Sequence, residues 1–256
     1  MDHRLRSARV MAHHAVQLAV APAFSLQEAT ADAAQTALSW SSGLRAFVGP
    51  VIAGKRAGLR VSDGTLFVAE AERPLAALPL AGMTRGDALT WLSRHFDEVL
   101  RLPPHDLPEH DVASGGRFGV PGEEAVLLAR WLGGAATFLE GVTARIPGAS
   151  TVRLWSHHFD VASLVTLATG RSIGLGLSPG DSSYDEPYWY VTPWPYPKHE
   201  QRPQLLMGAW HQQGWVGAVL TREGPTDDLG DAATRARVQA FMTDAAAACR
   251  QLVGPA

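Results

Sequence analysis

A chain of 256 residues can bury a substantial core, as one large domain or two small ones. With 46% hydrophobic and 18% charged residues, its composition is that of a globular protein rather than a disordered one. A net charge of −3 gives no electrostatic reason to expect nucleic acid or an anionic membrane as partner, and the single cysteine, Cys249, excludes an internal disulfide and fits a reducing cytoplasm.

The chain opens on "MDHRLRSARVMAHHAVQLAVAPA", where basic residues, an apolar stretch and "APA" mimic an export signal. His13, His14 and Gln17 interrupt the apolar run, so Met11 to Ala21 reads as an amphipathic helix stopped at Pro22, with export as the minor reading. No run is expected to reach the ~20 apolar residues of a membrane span. Strands are expected at "TALSWS", "RAGLRVS" and "TLFVAEA". A second helix follows Thr84 as its cap, with Leu89, Leu92, Phe96 and Val99 on one face and Pro103 as its stop. "HDLPEHD" (His105 to Asp111) reads as a solvated connection, one that could lie over a pocket. A third helix runs from about Glu123 to Val142, with Leu127, Leu128, Trp131, Leu132, Ala135, Phe138 and Leu139 at core spacing. Further strands are expected at "TVRLWSHHFDVA", "RSIGLGLS", "PYWYVTPW" and "GWVGAVLT". A last helix, from about Asp231 to Val253, ends at Gly254. Strands that neighbour strands, rather than alternating with helices, predict an α+β fold with a largely antiparallel sheet and helices packed on it.

A faint repeat links "SWS…AGKRAGLRVSDG" to "LWS…TGRSIGLGLSPGD", so an internal duplication stands beside coincidence as its explanation. The expected division is a scaffold-like half, 1–112, and a half carrying the site, 113–256, or else one compact domain. The repeat fails where the first copy has "SGL" against "HHF" in the second, so the histidines are not needed to build the substructure.

In an extended "WSHHFDVA", side chains alternate between faces, which puts His158 and Asp160 on one face ~6.5–7 Å apart. That spacing lets Asp160 orient the imidazole as a general base, or lets both hold an ion. Gly174 and Gly176 would clear a trough on one face of the next strand. Asp181 and Glu186 supply further carboxylates as catalytic candidates. His157, Tyr188, Tyr190, Trp194, Trp210 and His211 complete the expected ligand-binding lining. His158, Asp160 and His211 are the candidate metal set, and with no thiolate near, the cation would be zinc, manganese or iron. The leading expectation is an enzyme acting on a small polar metabolite by His/Asp acid–base or divalent-metal-assisted chemistry. A non-catalytic small-molecule binding protein with an aromatic-lined pocket is the alternative, and a homodimer interface is the third reading of the aromatic surface. Nucleotide-binding glycine loops and zinc-protease motifs are absent from the sequence.

Three blocks, Trp155–Asp160, Ser178–Pro195 and Trp210–Leu220, resemble those of a family of bacterial proteins of unknown function. A looser likeness joins it to a larger family reading "FWGSFDLA" here, with counterparts of Phe159, Asp160 and Ala162 but not of His157 and His158. The resemblance implies no particular activity.

Overall fold

The computed structural model describes residues 3–30, 32–168, 170–198, 202–221 and 229–254. The fold is α+β, with four helices and eleven strands among the described residues, and every pairing described between strands is antiparallel. The chain divides into two compact units, Met1–Gly133 with Arg153–Phe159, and Gly134–Val152 with Asp160–Ala256.

In the first unit, α1 (His3–Leu26) packs on β3 (Arg56–Arg60) and α2 (Arg85–Phe96). The helix does not stop at Pro22 but runs through it. Pro22 has no N–H for the Leu18 carbonyl, a defect of about 3 kcal/mol in a helix interior. Val16, Leu18 and Val20 are wholly buried, and at about 1.5–3 kcal/mol each their burial outweighs it. The close approach needs Gly49, because a Cβ there would lie 2.6 Å from the Ala19 carbonyl oxygen. Five further strands, β1 (Ala37–Ser41), β2 (Ala46–Val48), β4 (Thr65–Glu70), β5 (Arg73–Pro79) and β6 (Arg153–Trp155), join β3 in the order β6-β1-β2-β3-β4-β5. Thr84 caps α2 in a capping box with Asp87, as its position before the apolar run predicts. Asp97, rather than Pro103, closes that helix, in the left-handed region, which turns the chain before Val99 and leaves Val99 92% exposed rather than on the core face.

α3 (Glu123–Thr143) is long and apolar enough to cross a membrane by length and composition, contrary to the sequence reading. Leu128, Leu132, Ala135 and Leu139 on it are buried, the pattern of a core helix. The second unit pairs β7 (Asp160–Ala168), β8 (Arg171–Ser178), β9 (Tyr188–Trp194), β11 (Gly217–Thr221) and β10 (Ala209–His211), in the order β10-β11-β9-β8-β7. The register sets Leu175 opposite Val191 and Leu177 opposite Trp189. α4 (Ala232–Val253), capped by Asp231, packs on β8 and β9 with Phe241, Met242 and Ala245 buried. Trp189, Val191, Leu175 and Leu177 therefore share one face of the sheet, and the opposite face carries Gly174, Gly176, Tyr188 and Tyr190.

Candidate functional site

The histidine pair does not sit on a strand. β6 ends at Trp155, β7 begins at Asp160, and Ser156–Phe159 form a turn closed by the Phe159 N–H on the Trp155 carbonyl at 2.7 Å. Phe159 takes φ 59°, a conformation that costs a non-glycine residue about 1–2 kcal/mol. It is 1% exposed and stacks on His13 at 5.1 Å between ring centroids, and burial of such a ring returns at least as much. The alternation expected to align His158 with Asp160 is thus broken by the turn.

The turn assembles a histidine cluster within the first unit. His13 donates through Nε2 to the Ser156 carbonyl at 2.9 Å, and Gln17 donates to the same oxygen at 2.6 Å and to the His13 carbonyl at 3.0 Å. With both amide protons of Gln17 directed at carbonyls, its Oε1 accepts from His105 Nδ1 at 3.0 Å. His105 stands 5.6 Å from His157, and His157 stands 4.1 Å from His158. Among the described residues nothing hydrogen-bonds the rings of His157 or His158, and His158 is exposed. Burial drives the pKa values of His13 and His157 down to about 4, with neighbouring imidazoles adding to it. Desolvation, then the charge of His158, lowers that of His105 as well. His13 and His157 are therefore neutral at pH 7.

The second unit holds a different constellation. Asp160 opens β7 and accepts a short hydrogen bond from the Tyr190 hydroxyl. Asp181 accepts the Ser183 and Tyr184 N–H groups on one oxygen and the Tyr188 hydroxyl on the other at 2.6 Å. Tyr184 Oη lies 3.1 Å from His211 Nδ1, while His211 Nε2 faces the Gln213 carbonyl at 2.8 Å. A carbonyl only accepts, so Nε2 carries the proton and, in the neutral ring, Nδ1 takes the Tyr184 O–H. Trp215 stacks on His211 at 4.2 Å. Desolvation first, and the carboxylates second, push the pKa values of Tyr188 and Tyr190 well above the ordinary phenol value. These phenols are fixed as donors and cannot serve as bases.

The trough expected over the glycines is filled. A Cβ at Gly176 would lie 2.5 Å from Tyr190 Oη and 2.6 Å from Cζ, and one at Gly174 would meet Thr192 Oγ1 at 2.8 Å. Trp210 donates to the Pro203 carbonyl at 2.9 Å, Trp194 is 53% exposed and edge-on to Tyr196, and Glu186 is exposed. His157 and His158 belong to the first unit, and the other candidate residues to the second. Among the described residues no group of three His, Cys, Asp or Glu side chains is arranged to hold a metal, so His158, Asp160 and His211 do not form the ion site that their spacing suggested. His13, Gln17 and Tyr184 have no site role in the sequence reading, and His105 enters it only within a connection that could lie over a pocket. The one signal for the first pair is the four-residue spacing that puts His13 and Gln17 on one helix face. No family model matches the chain, and no curated protein or solved structure matches it.

Proposed function

We propose that the protein binds a small, uncharged polar metabolite at the histidine cluster of its first unit. The observation that carries this reading is the row of rings His105, His157 and His158, with the nitrogens of the last two unused by the described residues. A neutral imidazole offers one donor and one acceptor on a flat ring, which suits hydroxyl, amide or heterocyclic groups better than carboxylate or phosphate. The other polar groups expected at a site support it less, because Asp160, Asp181 and His211 already have intramolecular partners. Acid–base turnover by His158 is the second reading, favoured by the exposure of this ring beside its neighbours. Equilibrium dialysis against a mixture of uncharged polar metabolites, read by mass spectrometry, tests the proposal. Retention of a compound by the natural chain and its loss in His157→Ala/His158→Ala is the expected result. Equal retention by a variant that folds normally contradicts it.

A further inference from the structure

Gln17 is buried, and only one orientation of its amide satisfies its neighbours. The amide nitrogen stands 2.6 Å from the Ser156 carbonyl and 3.0 Å from the His13 carbonyl, and a carbonyl only accepts, so both amide protons are fixed there. The amide oxygen is thereby turned to His105 Nδ1, at 3.0 Å, and it too only accepts. His105 therefore carries a proton on Nδ1, and in the neutral ring Nε2 is left as a bare lone pair. Among the described residues no hydrogen bond engages that nitrogen. At pH 7.5 the ring is neutral, since an ordinary imidazole has lost its proton there and burial moves His105 further the same way.

The other polar groups beside these rings are already committed. Ser156 gives its hydroxyl proton to the Thr36 carbonyl at 2.6 Å, and its own carbonyl takes both His13 and Gln17. What is left for a ligand is imidazole nitrogen and flat ring. His157 lies 5.6 Å from His105, and Trp155 stands edge-on to His157 at 6.1 Å. Taking the ligand site proposed above as given, we infer that Gln17 is a positioning residue that makes His105 Nε2 an obligate acceptor, and that the ligand is a planar heterocycle presenting a ring N–H. A lactam or an azole has that shape and that donor. A polyol has donors without the flat face, and an N-methylated ring has the face without the donor.

The test is titration calorimetry at pH 7.5 with two matched pairs, uracil against 1,3-dimethyluracil and benzimidazole against 1-methylbenzimidazole, and with erythritol as the non-planar donor. The natural chain should bind the N–H member of a pair about tenfold more tightly than its methylated partner, the worth of one hydrogen bond, and should not bind erythritol. His105→Phe keeps a flat ring without Nε2, and there the ratio should fall to about one. Long-range proton–nitrogen spectra of the free natural chain should place the His105 proton on Nδ1. Gln17→Met, which fills similar space without the amide, should let that proton redistribute between the two nitrogens and shrink the ratio. Equal binding within both pairs overturns the inference, as does a ratio that survives in His105→Phe or a His105 proton found on Nε2. Binding of erythritol with neither heterocycle bound overturns it while leaving the ligand site in place. If no uncharged compound binds at all, the ligand site fails with it.

Discussion

Tyr190 lies across Gly176 because the two are directly opposed on β9 and β8, and only a residue without a side chain leaves room for the ring. Gly176→Val keeps a good strand former but puts carbon where the phenol sits, so overpacking should cost about 1–3 kcal/mol and lower the melting temperature by several degrees. A melt unchanged from the parent would mean that the ring moves aside easily and that the face can admit a ligand after all. The partner of that ring is the next test. Tyr190→Phe leaves the buried Asp160 carboxylate short of a donor, at a cost of about 1–3 kcal/mol. In a double-mutant cycle with Asp160→Asn, the combined loss should fall clearly short of the sum, whereas strict additivity would show the two side chains to be uncoupled.

At the scale of elements, α1 is the organising piece of the first unit, and its buried His13 makes stability depend on pH. With a folded-state pKa of about 4 against ~6.5 unfolded, the unfolded chain takes up the proton first as pH falls. Stability is thus complete above pH ~6.5, declines below it, and levels off near pH 4, with His13 contributing roughly 2–3 kcal/mol to the loss. Urea titrations at pH 7 and pH 4.5 should show this fall, and His13→Gln, which keeps a donor for the Ser156 carbonyl, should reduce it while His157 sustains the rest. A variant with the parent's slope would assign the dependence to other groups. β8 and β9 were legible in the sequence because apolar residues alternate along both. α1 beyond Pro22 was not, since burial of Val16, Leu18 and Val20 is a tertiary effect that overrides the local rule. β2 and β10, three residues each, are too short for a period to register, and β5 was hidden by its prolines. The histidine turn was misread because Phe159 adopts a left-handed conformation that its residue type gives no reason to expect.

Across the whole molecule, the two compact units carry different chemistry: neutral imidazoles in one, carboxylates capped by tyrosines in the other. Asp160, Asp181, His157 and His158 could be named from the sequence, but the residues that join His157 and His158 in the cluster could not. The cluster joins residues 143 apart at His13 and Ser156 and 88 apart at Gln17 and His105, separations that no local pattern encodes. On the proposed function, this cluster, rather than the tyrosine network, receives a ligand. Long-range proton–nitrogen correlation spectra of the histidine side chains at pH 7 test it most directly, recorded with and without a mixture of uncharged polar metabolites and assigned by single His→Gln variants. Proton-bearing Nε2 on His13, proton-bearing Nδ1 on His105, and ligand-induced shifts at His105, His157 and His158 while His211 stays fixed are the expected result. Shifts confined to His211, or none at any histidine for a compound that dialysis shows to be bound, would contradict it.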